Sequence, residues 1–343
     1  MKIFFLLLAI SSVNFSFGQR ELEKLESGIE KYYSYDFIGA LEDFNLAIMI
    51  NPYSIDAYFN RAMTLNSLEN YMGANEDFSK AIKLDPENLI LYWYRGKVKF
   101  NLSNASRVDQ IDVHLKGAIT DFTKAIELEN KSLKSKSSND NKNSYRIHSN
   151  DEYDIYSKVN VNYYRGQAKF YLKDYNGAII DLTKVIDLAP ESDFSSYYYR
   201  CRAEAKGKLK DYKGAFIDYS KAIELEPNNY SDYLEIAELK YMTKNFSGAI
   251  EFYSKAIELS PTESIFIYSL RAEAKNKMLD YRGAIAVYTK AIDNLLTESG
   301  ELYLKRGDAK RLIKDKEGAC LDYSKSGELG VKNAYERIKL YCN

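Results

Sequence analysis

The dipeptide Gly-Ala recurs eight times along the chain, and no other feature restricts the possible folds as strongly. Four of the seven intervals between successive pairs are 34 or 35 residues, and the others are 37, 44 and 60. Such a period indicates that one small unit repeats along the chain, with insertions where the interval is longer. A glycine inside a helix costs about 1 kcal/mol relative to alanine, so the glycine of the pair predicts a close backbone contact. The pairs begin at Gly39, Gly73, Gly117, Gly177, Gly214, Gly248, Gly283 and Gly318.

Numbering each unit from 1 to 34, with the Ala of the pair at position 20, shows further regularities. Position 8 is Gly or Ala in all eight units, position 24 is aromatic in seven, and all five prolines fall at position 32. Small residues at positions 8 and 20 let two helices approach closely, and the ring at position 24 fills the space above them. Proline ends the second helix, and Asp or Asn at position 16 suits its N-cap. The pattern predicts two antiparallel helices per unit, stacked on their neighbours.

The runs Tyr163–Lys169 and Asp211–Pro227 resemble tetratricopeptide repeats, and the resemblance covers nearly all of residues 21–331. It implies an all-α, right-handed superhelical solenoid of about eight helix-turn-helix repeats. Repeats 1–3 would occupy residues 21–130, and repeats 4–8 would occupy residues 158–331. The sequence departs from the family at position 7, usually Leu and here mostly Arg, and at position 11, usually aromatic and here mostly Lys.

Three stretches interrupt or follow the repeats. About ten extra residues around Ser103 to His114 predict a second helix of repeat 3 that is two to three turns longer, with Ser106 as its cap. Residues 131–157 are rich in Ser, Asn and Lys and predict a flexible insertion. Residues 332–343 predict a helix that caps the open face of the last repeat.

The first residues are typical of an export signal. Lys2 is followed by an apolar run from Ile3 to Ile10 that is too short to span a bilayer. Small residues at Ser16 and Gly18 favour cleavage between Gly18 and Gln19, so residues 1–18 are predicted to be a signal peptide. The alternative is a buried helix at the start of the first repeat. We expect the mature protein to be periplasmic or secreted.

Residues suited to catalysis are scarce. The chain has two histidines, His114 and His148, neither in a cluster of metal ligands, and it lacks a nucleophile elbow, a phosphate-binding loop and a dinucleotide fingerprint. We therefore expect no enzyme activity, no metal site and no cofactor. The net charge of −1 argues against nucleic acid as a partner. Cys320 and Cys342 are predicted to form a disulfide, the alternative being two separate buried thiols, and Cys201 then remains single.

Position 7 and position 23 vary together. Repeats 2, 3, 4, 5 and 8 carry Arg at position 7 and Asp at position 23, whereas repeat 6 carries Ile236 and Phe252 instead. This joint presence and absence predicts an ion pair within each repeat, as a structural device and not as a ligand site. Arg165 should approach Asp181, and Arg202 should approach Asp218, within about 4 Å.

In tetratricopeptide repeats the first helices line a concave groove, and positions 5 and 9 usually face the ligand. The resemblance therefore implies an apolar and aromatic wall in repeats 1–4 and a row of carboxylates in repeats 5–8. The alternative is that the rings pack between helices and that Glu204 and Glu273 pair with Lys208 and Lys277. The candidate groove residues are Phe59, Met63, Trp93, Lys97, Phe100, Tyr163, Phe170, Arg200, Glu204, Glu238, Glu273 and Asp308. Of these, Phe59, Trp93, Tyr163 and Phe170 are expected to expose ring surface to one concavity.

The resulting functional prediction is an exported scaffold whose groove binds an extended or helical segment of a partner protein or a peptide, in a complex associated with the cell envelope. One alternative is an exported sensor or carrier for a peptide or an envelope polymer. A second is an enzyme with a site on the convex side. No stretch after the signal is apolar enough to span a membrane.

Overall fold

The computed structural model describes residues 2–135, 158–190, 192–260, 264–293 and 299–342. These ranges contain seventeen α-helices and no strand, which confirms the predicted all-α fold. The chain divides into two compact units, residues 1–190 and residues 191–343. In both units successive helices pack as pairs, and each pair is one repeat.

The first unit contains four helix pairs. They are α1 (Lys2–Tyr33) with α2 (Phe37–Ile50), α3 (Ile55–Ser67) with α4 (Tyr71–Leu84), α5 (Leu89–Ala105) with α6 (Val108–Ser135), and α7 (Lys158–Tyr171) with α8 (Tyr175–Leu188). The second unit contains four more pairs and a final helix. They are α9 (Ser195–Lys208) with α10 (Tyr212–Leu225), α11 (Tyr230–Met242) with α12 (Phe246–Leu259), α13 (Ser264–Lys277) with α14 (Tyr281–Asp293), α15 (Gly300–Leu312) with α16 (Lys316–Glu328), and α17 (Lys332–Tyr341).

The glycine at position 19 is explained by the cap of the second helix. In the pair α9–α10, the side chain of Asp211 accepts a hydrogen bond from the Gly214 backbone N–H at 2.9 Å. A Cβ at Gly214 would lie 2.1 Å from Oδ2 of Asp211, so no larger residue fits beside the capping carboxylate. The predicted close contact is therefore with the N-cap side chain, and the capping role of position 16 is confirmed.

The repeat core follows the predicted size rule. A Cβ on Gly28 would lie 2.5 Å from the Phe44 ring, and a Cβ on Gly96 would lie 2.7 Å from the Phe122 ring. Position 8 is small because the ring at position 24 lies directly against its backbone.

The insertion in repeat 3 differs from the prediction. Both helices are lengthened, since α5 has 17 residues and α6 has 28. Ser106 does not cap α6, because its hydroxyl donates to the Leu102 carbonyl oxygen at 2.6 Å and so closes the end of α5. Helix α6 also continues to Ser135, past the predicted boundary at residue 130, and the rest of the predicted insertion, residues 136–157, lies outside the described residues.

The two ends of the chain are both helical. Helix α1 begins at Lys2 and continues without a break to Tyr33, so it includes the predicted signal segment. A search of the described residues found no helix with the length and hydropathy needed to cross a membrane. At the other end, α17 packs on α16 through buried Ala334, and a disulfide joins Cys320 to Cys342 with the Cα atoms 5.7 Å apart.

Candidate protein-binding surface

The predicted ion pair between positions 7 and 23 is present in all five repeats that carry both residues. In repeat 4, Nε and Nη2 of Arg165 donate to the two oxygens of Asp181 at 2.9 and 2.6 Å. The same two-pronged contact joins Arg61 to Asp77, Arg95 to Asp121, Arg202 to Asp218, and Arg306 to Asp322. These aspartates are buried, so each needs a cation to compensate for its lost hydration.

Two further contacts connect each ion pair to other residues. The lysine at position 11 binds the same aspartate, as Lys169 does to Asp181 at 2.8 Å. The third arginine nitrogen reaches the preceding repeat, as in the 2.7 Å hydrogen bond from Arg61 Nη1 to Asn45 Oδ1. Both departures from the family pattern, at positions 7 and 11, are thereby explained as structural contacts.

The expected aromatic wall is absent from the first unit, because its two central rings are buried. Phe59 is 3 % exposed and packs edge-on against Phe78 and Tyr94, with ring centroids 5.7 and 5.3 Å away. Trp93 is 1 % exposed and lies against Phe122 and Tyr164. The prediction that these rings face a groove is wrong, since each fills the gap between its own repeat and the next.

The remaining candidates of the first unit are half-buried and contribute to the same packing. Phe100 and Tyr163 contact Tyr164 edge-on at 5.6 and 5.2 Å, and Lys97 lies over the Tyr164 ring at 5.8 Å. Phe170 packs edge-on against Tyr175, and Met63 packs against the core cluster that contains Phe59. The interhelical alternative therefore holds for Phe100 and Phe170, whereas the Tyr163 ring contacts its neighbour on the same helix.

A pocket of about 210 Å³ opens between α1 and α3. Its apolar lining comes from Leu22, Leu25 and Ile29, and its polar lining includes Glu30 and Asn60. Leu25 and Ile29 occupy positions 5 and 9 of the first repeat, so this pocket is where the first unit presents apolar surface at the expected groove positions.

Arg200, the basic candidate at position 5 of repeat 5, is engaged within the protein. Its Nε donates to both oxygens of the buried Asp232 at 2.7 and 2.9 Å, and its Nη2 donates to Glu226. Asp232 lies on α11, so this arginine joins the first helices of two successive repeats. Its role in binding a ligand is therefore not supported, because its guanidinium compensates a buried carboxylate.

Position 9 is acidic on each of the four first helices of the second unit. We call the surface formed by α9, α11, α13 and α15 the first-helix face, and the acids at position 9 on it the carboxylate row: Glu204, Glu238, Glu273 and Asp308. Glu204 and Glu238 are exposed. Glu273 binds Lys305 of the next repeat and not Lys277, and Asp308 accepts hydrogen bonds from Tyr323 and Arg337, both at 3.0 Å.

Glu235 adds a fifth carboxylate that the sequence analysis missed. It lies half-buried on α11 at position 6. Burial raises the pKa of Glu235, and repulsion from Glu238 and Glu204 raises this pKa further. Although part of Glu238 is exposed, the surrounding helices partly desolvate its carboxyl group, and this raises the pKa of Glu238. Three acids therefore stand close together, with weak compensation from Lys208.

A row of buried tyrosines lies behind the carboxylate row. Position 24 is Tyr in repeats 5–8, where position 9 is acidic, and Phe or Leu in repeats 1–4, where it is not. Tyr323 donates directly to Asp308, and burial followed by the Asp308 charge raises the pKa of Tyr323 to about 12. Burial followed by nearby carboxylates also raises the pKa of Tyr219, Tyr253 and Tyr288. This co-occurrence within the repeats is the signal from which the sequence analysis could have assigned the acids and tyrosines to one site.

The arrangement suits a ligand that carries positive charge and hydrogen-bond donors. In the described ranges no three His, Cys, Asp or Glu side chains are grouped so as to hold a metal ion. Carboxylates spread over four successive helices match a segment of chain better than they match a single ion.

Comparison with known proteins agrees with this architecture. A tetratricopeptide repeat family model matches residues 55–88, 159–192 and 202–229, which correspond to the pairs α3–α4, α7–α8 and α9–α10. The chain contains tetratricopeptide repeats. No curated protein sequence matches it significantly.

Solved structures of other repeat proteins resemble this tetratricopeptide repeat protein in fold. The C-terminal part of a tetratricopeptide repeat-containing protein from Cytophaga hutchinsonii is 18% identical, with a TM-score of 0.58 over 80% of this chain and all (100%) of that one. A chain in the structure of Naa15/Naa10 bound to HypK-THB is 14% identical, with a TM-score of 0.53 over 92% of this chain and 43% of that one. A tetratricopeptide repeat protein from Parabacteroides merdae is 19% identical, with a TM-score of 0.48 over 84% of this chain and 99% of that one.

The presence of tetratricopeptide repeats indicates a general class of activity. These repeats generally form scaffolds for protein interactions, and the chain is a protein-interaction scaffold in this general sense.

Proposed function

We propose that the first-helix face of the second unit binds an extended or helical segment of a partner protein that carries Lys or Arg side chains. The observation that carries this proposal is the carboxylate row with buried tyrosines behind it. The described part of the first unit has no equivalent row, because its position 9 residues are Ile29, Met63, Lys97 and Gln167.

The energetic argument rests on Glu204, Glu235 and Glu238. Burial, followed by repulsion from Glu238 and Glu204, raises the pKa of Glu235, and the opposing effects of Tyr219 and Lys208 are smaller. A bound ammonium or guanidinium group relieves that repulsion and forms charge-assisted hydrogen bonds. Leu234 and Tyr241, which pack at the edge of the same helix, offer apolar surface for the methylene stem of a lysine or arginine.

Two buried tyrosines add hydrogen-bonding capacity. Tyr253 and Tyr288 are 1 % and 0 % exposed, and within the described residues neither hydroxyl makes a hydrogen bond. Burial and then the Glu238 charge raise the pKa of Tyr253, and burial and then the Glu273 charge raise the pKa of Tyr288. A ligand donor or a bridging water at this position can form hydrogen bonds with these hydroxyls.

The test uses three fluorescent peptides of equal length, in which Lys, Ser or Glu occupies every second position. Fluorescence anisotropy with the full chain should show binding of the Lys peptide only. That binding should weaken as salt rises, because the attraction is partly exposed to solvent. Equal binding of the Lys and Ser peptides would contradict the role of the carboxylates.

We also propose that the protein is exported before it binds its partner. The apolar run Ile3–Ile10 and the small residues before Gln19 support a cleaved signal, and the Cys320–Cys342 disulfide is typical of an oxidising compartment. Intact mass measurement of the protein from each cell fraction tests this. A species starting at Gln19 outside the cytoplasm is expected, and an uncleaved chain confined to the cytoplasm would contradict it.

A further inference from the structure

The solvent-facing side of α2 carries an apolar patch. Ile38, Leu46 and Met49 are 62 %, 41 % and 77 % exposed, and Tyr53 just beyond the helix is 77 % exposed. Spacings of eight and three residues place Ile38, Leu46 and Met49 along one side of the helix, and Tyr53 follows the end of the helix at Ile50. We call these four residues the α2 patch.

The other repeats show that this patch is a departure and not a property of the fold. Position 26 is Leu46 in repeat 1 and Lys in every other repeat, and position 29 is Met49 in repeat 1 and acidic or basic in every other repeat. In repeats 5 and 6 these positions form ion pairs one helical turn apart, Lys221–Glu224 at 2.6 Å and Lys255–Glu258 at 3.1 Å. Repeat 1 therefore replaces a charged, solvated pair with two large apolar side chains.

We infer that the α2 patch is an interface through which two copies of this chain associate. The patch contains neither Lys nor Arg, so it lacks the basic residues that would attract an anionic lipid surface. A neutral apolar surface is complementary to an identical surface, and two-fold pairing of one patch with itself is the commonest geometry among homo-oligomers.

The size of the patch fits this role. The exposed parts of its four side chains present about 500 Å², taking roughly 200 Å² for each fully exposed side chain. A stable interface buries about 800 Å² per partner, with an apolar centre and a polar rim. The patch therefore supplies the apolar centre of such an interface.

One charged side chain, Glu42, lies beside the α2 patch, and a two-fold arrangement is compatible with it. Glu42 is exposed between Ile38 and Leu46. An antiparallel pairing centred between Leu46 and Met49 separates Glu42 of one copy from Glu42 of the other by about 16 Å along the helix axis, so the acid does not lie against another acid.

Sedimentation velocity of the full chain tests the inference. The wild type should be a dimer at micromolar concentrations, as expected for a modest interface. The double variant Leu46→Lys, Met49→Glu, which restores the charges that other repeats carry at these positions, should be a monomer with an unchanged circular dichroism spectrum. The matched control Ile180→Lys, Leu321→Glu alters two exposed apolar residues away from the patch and should remain a dimer.

Chemical cross-linking locates the interface independently of that variant. Met49→Cys in a Cys201→Ser background should give a covalent dimer with a short bismaleimide, and Ile180→Cys in the same background should not. A monomeric wild type at about 100 µM, a dimer that survives the double variant, or binding of the wild type to neutral lipid vesicles through this patch would overturn the inference. None of these results depends on whether the carboxylate row binds peptides.

Discussion

Arg165 donates two hydrogen bonds to the buried carboxylate of Asp181, from Nε at 2.9 Å and from Nη2 at 2.6 Å. Five repeats contain this contact, and repeat 7 contains only half of it, because Arg271 is present but position 23 is Val287. Burial lowers the pKa of Arg271, and among the described residues the buried Nε of this arginine has no hydrogen-bonding partner. The absence of a carboxylate in repeat 7 therefore leaves a cation poorly compensated.

Val287→Asp should supply the missing partner. We expect the free energy of unfolding to rise by about 1–2 kcal/mol, because the new carboxylate accepts hydrogen bonds from a charged donor. The comparison is Phe252→Asp in repeat 6, where position 7 is Ile236 and Lys240 at position 11 is the one cation of the two positions, so the substitution should lower the free energy of unfolding. Chemical denaturation measures both. Similar destabilisation by the two substitutions would show that Arg271 is not stabilised by a carboxylate at position 23.

Asp43 gives the first repeat a specific dependence on pH. Burial alone would raise the pKa of Asp43, but hydrogen bonds from Lys31, Ser27 and Lys24 outweigh this effect and hold the pKa at about 2. A depressed pKa stabilises the fold above the pKa of the unfolded state, near 3.8, and this stabilisation is lost as pH falls through the folded value. Asp43→Asn should therefore make the free energy of unfolding less dependent on pH between these two values. An unchanged dependence would argue against the hydrogen bonds from Lys31, Ser27 and Lys24.

Two glycines in neighbouring helices should respond to alanine in opposite ways. Gly214→Ala places a methyl group 2.1 Å from the capping carboxylate of Asp211 and should cost about 1 kcal/mol or more through the lost cap. Gly207→Ala on α9 meets no atom within 4 Å and should stabilise the protein by about 0.5–1 kcal/mol. Thermal unfolding of the two variants gives the comparison, and a shift of the same sign in both would contradict it.

Trp93→Ala should be a stability variant and not a binding variant. The indole is almost completely buried between repeats 3 and 4, so its removal should lower the free energy of unfolding by about 3–5 kcal/mol. Peptide binding by the folded fraction should be unchanged. A Trp93→Ala protein of normal stability would show that the ring does not belong to the core.

The local features of the fold were predictable from the sequence because they repeat. All eight repeats carry the small residues, most carry an Asp or Asn cap, and five carry the Arg–Asp pair, so the recurrence reveals these contacts. Contacts between repeats were harder to predict, because they depend on how neighbouring helices are rotated and shifted against each other. Phe59 was assigned to the wrong side of its helix for this reason, and the partner of Arg200, Asp232, lies in the following repeat.

The candidate site was only partly predictable for the same reason. The carboxylate row was visible at position 9, but Glu235 at position 6 belongs to the site through its neighbours on two helices. The sequence analysis assigned the ring at position 24 to the core of each repeat. The contact between the tyrosine hydroxyl and the acid at position 9, as between Tyr323 and Asp308, becomes visible only in the folded repeat. The boundary between the two helices of repeat 3 was also missed, because the Ser106 hydroxyl donates to the Leu102 carbonyl oxygen at the end of α5 instead of capping α6.

The most direct test of the proposed binding surface compares two pairs of charge-neutralising substitutions. Glu204→Gln with Glu238→Gln removes two charges from the carboxylate row, and Glu224→Gln with Glu258→Gln removes two from exposed positions on second helices. Net charge changes equally, and the dissociation constant of the Lys peptide is measured by anisotropy for both. The first pair should weaken binding by roughly tenfold or more, and the second pair should leave it nearly unchanged. Equal weakening by both pairs, or none by the first, would contradict binding at the carboxylate row.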